Sequence, residues 1–149
     1  QGFKNRTFKK FYLAEVYGVM SKPSDELRAY LLKDAKKSEV KIFNKQVEGS
    51  EKIVTRYSVL KSGGETSVLE VELVTGKTHQ IRAHLASVGH FIIGDGKYGR
   101  EVINRKFHAK KQRLTAYKTI LCFEEKSSLY YLNERQFTLP NELIKQYGF

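Results

Sequence analysis

The sequence predicts an α+β domain built on a mixed, largely antiparallel sheet with a few helices, and three observations carry that reading. Several stretches alternate apolar and polar residues at the two-residue period of a half-buried strand, whereas the spacing of a helix face is clearest in one stretch, after Thr78. Two connections, Ser62-Gly63-Gly64 and Glu125-Lys126-Ser127-Ser128, are short and turn-rich, as between antiparallel neighbours. No repeat, linker or low-complexity segment divides the 149 residues, so 1–149 reads as a single domain with a sizeable core.

In chain order, residues 1–10 are polar and basic, with Lys4, Arg6, Lys9 and Lys10 close together, and fit a helix end or a loop. Residues 11–16 read as a strand ended by Gly18, with Tyr12 on the face opposite Phe11 and Leu13. Tyr12 is thereby available to a cleft, or packs like any tyrosine on a half-buried sheet. Residues 21–34 carry Leu27, Tyr30 and Leu31 at helical spacing, but Leu27, Ala29 and Leu31 alternate equally well as a strand. Residues 40–43 are a short strand, 47–50 a turn with Gly49, and 53–60 a strand that a hairpin at 62–64 joins to the next, 68–74. Residues 101–112 are basic and read as a short helix or a loop. Residues 114–123 and 129–137 read as two strands, and Pro140 and Asn141 open a final helix carrying Leu143, Ile144 and Tyr147.

The run 71–99 says most about chemistry. Thr75-Gly76-Lys77 supplies a turn, and Thr78 stands where an N-cap is expected. Ile81, Leu85 and Val88 share one helix face, and Gly89 is a left-handed stop. Arg82 lies at the border of that face, about 100° from Ile81. There its stem packs on the core while its guanidinium faces a cleft, where it needs a carboxylate or phosphate; a surface helix with a solvated arginine fits the same spacing. The helix start, with Lys77 and His79, is a place for an anion. Gly94-Asp95-Gly96-Lys97-Tyr98-Gly99 is a glycine-rich loop whose amides, Lys97 and Tyr98 could meet a phosphate or base, or a plain connection.

Charge and composition narrow the function. There are 27 Lys+Arg against 16 Asp+Glu, a net charge of +11, and the excess is scattered as on a folded basic face that meets a polyanion. Cys122 is the only cysteine, so there is no disulfide framework, and a reducing, cytoplasmic setting is expected. No stretch has the length of a membrane span. Gly76-Lys77-Thr78 is not a phosphate-binding P-loop of a nucleotide hydrolase, because Val71 stands where that motif needs glycine. His79, His84, His90 and His108 make no metalloprotease pair, and no pair of carboxylates or hydrolase triad emerges. No metal and no nucleotide cofactor is expected.

The residues also carry a resemblance. Thr75-Gly76-Lys77-Thr78-His79-Gln80-Ile81-Arg82-Ala83-His84, followed by Gly89-His90-Phe91-Ile92-Ile93-Gly94-Asp95 and Lys97-Tyr98-Gly99, resembles the signature of the RluA-type RNA pseudouridine synthases. That family usually has Arg at the place of Lys77 and Pro at that of Phe91. Lys10-Phe11-Tyr12-Leu13-Ala14, with Val16 and Gly18, resembles its tyrosine-bearing strand. The resemblance implies a pseudouridine synthase-like fold in which 21–34 is extended, and a cofactor-free isomerisation of uridine to pseudouridine in structured RNA, ribosomal or transfer RNA. It implies that Arg82 pairs with a catalytic aspartate and keeps it ionised, and that Tyr12 stacks on the base and assists proton removal from carbon 5. Lys10, Lys77, His79 and Lys97 are the candidates for gripping phosphates, with Thr78, Gln80 and His84 beside them on the RNA side.

The nucleophile motif, His-Arg-Leu-Asp followed by Thr-Ser-Gly, is absent, and the only aspartates are Asp25, Asp34 and Asp95. Met20 is the only methionine and Gln1 opens the chain, so a partial domain is expected: the C-terminal portion of a catalytic domain, inactive alone. The alternative is a non-catalytic RNA-binding module that keeps the fold. A sheet edge left uncovered in a partial domain would be open to pairing with a second copy.

Overall fold

The structure, a computed structural model, describes residues 8–75, 78–140, 145 and 147. Apolar alternation produces most of it. β1 (Phe8–Tyr17), β2 (Ser24–Asp34), β3 (Glu39–Phe43), β4 (Glu51–Gly63), β5 (Thr66–Leu73), β6 (Leu114–Leu121) and β7 (Gln136–Thr138) form one sheet in the order β3-β2-β4-β5-β1-β6-β7. Every strand pair is antiparallel. Among the described residues the α-helices are α1 (Thr78–Ser87) and α2 (Glu101–Lys106).

One sheet face carries the main core. Tyr12, Ala14, Val16, Tyr57, Leu69 and Val71 pack there with Ile81 and Leu85 of α1 and with Ile92. Ala29, Leu31 and Ile53 form a second cluster with Val40 and Ile42. The alternation of Leu27, Ala29 and Leu31 therefore prevails over their helical spacing, because the strand at 24–34 pairs with β4 from Ser24 to Leu31 and with β3 from Tyr30 to Asp34. On the opposite face Leu13 and Val68 meet Tyr147, whose hydroxyl hydrogen-bonds Thr115 Oγ1 at 2.8 Å.

Two expectations are corrected. Val88 is exposed: α1 ends at Ser87, one residue short of the predicted face, and Gly89 leaves at φ +89°. Residues 129–137 do not make one strand. Ser127 Oγ accepts the Leu129 N–H, a single 3-10 turn follows at Tyr130–Leu132, and Glu134 takes φ +65° before β7 begins. Local turn chemistry outcompetes the alternation there, since among the described residues β7 is the outer strand and pairs with β6 alone. The final helix expected from Pro140 with Leu143 and Ile144 lies mostly outside the described residues.

Candidate active site

Burial of Ile81 and Leu85 fixes the roll of α1 and leaves Arg82 at the rim, its side chain 19% exposed. The guanidinium meets a carboxylate of this same chain. Arg82 Nε donates to Asp95 Oδ2 at 2.8 Å and Nη2 to Asp95 Oδ1 at 2.9 Å, the two-pronged geometry natural to arginine. The sequence reading gave Arg82 no acid within this chain; Asp95 is one, and among the described residues no side chain hydrogen-bonds Nη1.

Asp95 is placed there by its own turn. Its Oδ1 also accepts the N–H groups of Lys97 and Tyr98, both at 2.9 Å, an Asx turn of the kind Asp-Gly sequences favour. Gly94 before it takes φ +88°, and a Cβ there would lie 1.9 Å from the Lys111 carbonyl oxygen. Burial alone would raise the Asp95 pKa; the Arg82 guanidinium and the two amides outweigh it and hold the carboxyl below its ordinary value. Those amides are therefore not free for phosphate, as the loop reading at 94–99 had them.

Tyr98 stands beside the guanidinium, its ring centre 5.4 Å from Arg82 Cζ. Its hydroxyl oxygen accepts the Val40 N–H at 2.9 Å and hydrogen-bonds His79 Nε2. Burial, then the cations Arg82 and Lys97, keep the His79 pKa below its usual value, so the ring is neutral at pH 7. Lys97 Nζ donates to the Ser38 carbonyl. His79, Arg82, Asp95, Lys97 and Tyr98 thus form one cluster, bordered by a cleft of about 590 Å³ between α1 and the β2–β3 hairpin. That volume falls in the range of small-ligand sites.

Other predicted residues go elsewhere. Gln80 and His84 are buried, at 3% and 1% exposure, and their polar groups are engaged within the protein. Gln80 Nε2 donates to the Val54 carbonyl and to Thr55 Oγ1, its Oε1 accepts from Thr75, and Thr55 Oγ1 shares a hydrogen bond of 2.8 Å with His84 Nδ1. This chain satisfies buried polar groups where α1 crosses β4. Burial lowers the His84 pKa to about 4, so the ring is neutral at pH 7.

Tyr12 is only 7% exposed, so its ring is part of the core rather than an open platform; it packs in the cluster that holds Ile81, next to Arg82 in sequence. Burial raises its pKa, and no described side chain hydrogen-bonds its hydroxyl. Lys10 is exposed on β1, its ammonium over the Phe8 ring. Lys77, the Thr78 side chain and most of the predicted anion place lie outside the described residues. The helix runs from Thr78 itself.

Reasoning from the sequence passed over Asp95 as a partner, offered Tyr98 to a phosphate or base rather than to Arg82 and His79, and omitted Thr55 and Thr75 from the site. Asp95-Gly96-Lys97 carried a usable signal, an Asx turn aiming a carboxylate 13 residues beyond Arg82. Thr55 carried none, because its meeting with His84 depends on strand register.

The family model described as RNA pseudouridylate synthase matches residues 1–87. An "Uncharacterized RNA pseudouridine synthase" of Helicobacter pylori strain J99 is 37% identical over 120 residues, covering 78% of this chain and 48% of that protein. "Ribosomal large subunit pseudouridine synthase C" of Vibrio parahaemolyticus is 36% identical over 107 residues, covering 72% and 31%. The solved structure of "Human RNA Pseudouridylate Synthase Domain Containing 1" superimposes with a TM-score of 0.67 at 22% identity, over 98% of this chain and 68% of that one, a likeness of fold. The chain spans about a third to a half of the length of the curated relatives it matches.

Proposed function

We propose, on the premise that this chain belongs to the RNA pseudouridylate synthase family, that it is the arginine-bearing part of a site isomerising uridine to pseudouridine in RNA. The observation that carries the reading is the guanidinium of Arg82. It is fixed from one side by Asp95, rimmed by Tyr98 and His79, and has Nη1 available.

A second carboxylate meeting Nη1 would be held ionised, as a nucleophile toward a sugar carbon must be. In this reading that carboxylate attacks carbon 1 of the sugar as the glycosidic bond to N1 breaks, the freed uracil turns, and carbon 5 then bonds the sugar carbon as the carboxylate leaves it; carbon 5 gives its proton to a base and N1 takes one up. The chain's own aspartates fit the attacking role poorly. The Asp95 side chain is fully buried with four hydrogen bonds, Asp34 Oδ1 accepts the Lys36 and Lys37 amides, and Asp25 takes the Glu26 amide and Lys22. The nucleophile accordingly comes from residues outside this sequence. Tyr12 keeps its proton at pH 7, so its part is to floor the site and to exchange a proton at its hydroxyl once a base lies against it.

Lys10, Lys97 and His79 serve the RNA in this proposal, with Lys97 and His79 nearest the guanidinium. Ribosomal RNA is the favoured substrate, supported by the name of the Vibrio parahaemolyticus relative, with transfer RNA second. The setting is the cytoplasm, and no cofactor takes part. Self-association through a sheet edge would use β3 or β7, the outer strands among the described residues. The same fold without the acid would act as an RNA-binding module. Supplying the nucleophile-bearing portion and measuring pseudouridine in ribosomal RNA tests the enzyme reading: conversion that depends on Arg82 supports it, and RNA binding without conversion supports the module.

A further inference from the structure

α2 is a six-residue helix with one buried residue, and that residue is polar. Asn104 is 7% exposed, whereas Val102 on the same helix is 78% exposed. An element fastened by a buried amide instead of an apolar side chain has that amide tied to something specific. Here both of its ends go to one turn: Asn104 Oδ1 accepts the Gly94 N–H at 2.8 Å, and Nδ2 donates to the Asp95 carbonyl oxygen at 3.0 Å. Asp95 is thus gripped at its backbone by Asn104 and at its carboxylate by Arg82 and the amides of Lys97 and Tyr98. The Asn104 backbone is itself held, its N–H on the Arg100 carbonyl at 3.0 Å and its carbonyl receiving the Ala109 N–H at 2.9 Å.

We propose that Asn104 is a positioning residue for the Arg82 guanidinium, acting through the Gly94–Asp95 turn that both ends of its amide hold. It touches no reacting atom. Its effect is to fix where the Asp95 carboxylate sits, and hence the direction in which Arg82 Nη1 points. The geometry of this relay stands on its own; its importance to catalysis rests on the proposed role of Arg82.

The test follows the Arg82 side-chain Nε–H in the ¹⁵N-labelled chain, its resonance assigned by its loss in Arg82→Lys. Asn104→Ala should speed exchange of that hydrogen about tenfold or more, the effect expected when buried hydrogen bonds are lost, while backbone amides of β1, β4 and β5 keep their protection. Asn104→Asp adds a readout that general loosening would not give. An ionised aspartate still accepts from Gly94 but faces the Asp95 carbonyl with negative charge; its protonated form can donate to that carbonyl again. Arg82 protection in Asn104→Asp should therefore recover as pH is lowered from 7 toward 5, whereas in Asn104→Ala it should not. If Asn104→Ala fails to fold, the pH response of Asn104→Asp decides. Unchanged Arg82 protection in a folded Asn104→Ala, or no recovery in Asn104→Asp, overturns the proposal. Loss of Arg82 protection with undiminished turnover, once the nucleophile-bearing portion is supplied, would uphold the relay and overturn the role of Arg82 instead.

Discussion

Arg82 and Asp95 lie on opposite sides of the turn that follows α1 and meet through two hydrogen bonds, Nε to Oδ2 at 2.8 Å and Nη2 to Oδ1 at 2.9 Å. The carboxylate is fully buried and the guanidinium largely so. A pair of this kind adds little net stability over an apolar pair, yet breaking it leaves a charge stranded. Its value lies in direction: with two nitrogens engaged, the third has a fixed heading.

Asp95→Asn should therefore destabilise the chain by about 3 kcal/mol, the lower end of the range for stranding a buried charge, because some water still reaches Arg82. Urea unfolding measures it. The double variant Arg82→Met/Asp95→Asn should cost less than the sum of the single variants by about 1 kcal/mol or more. Additive costs would show that the two side chains are energetically independent.

Arg82→Met, placed in the complete enzyme, should lower turnover at least about a hundredfold while changing RNA affinity less than about threefold, as for an interaction that matters chiefly in the transition state. The partner argued for Nη1 is an acid, not a phosphate. Single-turnover kinetics beside filter binding separate the two effects. A loss confined to affinity would make Arg82 an RNA contact and nothing more.

The chain by itself should form no pseudouridine in any RNA. Asp25, Asp34 and Asp95 each hold a turn or an ion pair, and the one beside Arg82 is sealed from solvent. Incubation of purified chain with ribosomal RNA, followed by nucleoside mass spectrometry, checks this. Product above the level of a protein-free control would mean that one of the three can reach a sugar carbon.

How far the sequence reveals this architecture depends on the range of the interaction concerned. Ile81 and Leu85 announce the buried face of α1 because helix periodicity is local, and Gly89 announces its end; Val88 misled because the stop came one residue sooner than the wheel implies. At 21–34 two periodicities coexist, and pairing with β4, invisible in the segment itself, selects the strand. Arg82 could be singled out as needing an anion, since an arginine at the edge of an apolar stripe has that requirement wherever it occurs. Which anion it would meet depended on a turn, and the turn was written in Asp95-Gly96. Gln80 and His84 look like polar residues offered to a ligand; only the register of β4 puts Thr55 beneath them and makes them interior.

That interior placement of His84 has a pH signature. Its pKa is about 4 in the folded chain against 6.5 for an exposed imidazole, because burial opposes the charged form. Above pH 6.5 the ring is neutral in both states and the shift contributes nothing. As pH falls below 6.5 the unfolded chain takes up a proton that the folded chain refuses, so stability declines until the folded pKa is reached. Between pH 7 and 5 the loss should be about 2 kcal/mol, from about 1.4 kcal/mol for each unit of pH. His79, lowered in the same direction, adds to it. His84→Asn, whose side-chain amide can hydrogen-bond Thr55 as donor or as acceptor, should remove most of this decline while leaving the part due to His79. Urea midpoints of both proteins at pH 7, 6 and 5 make the comparison. An equally steep decline in His84→Asn would show that the proton is taken up elsewhere and that His84 is not the group that weakens the crossing of α1 over β4.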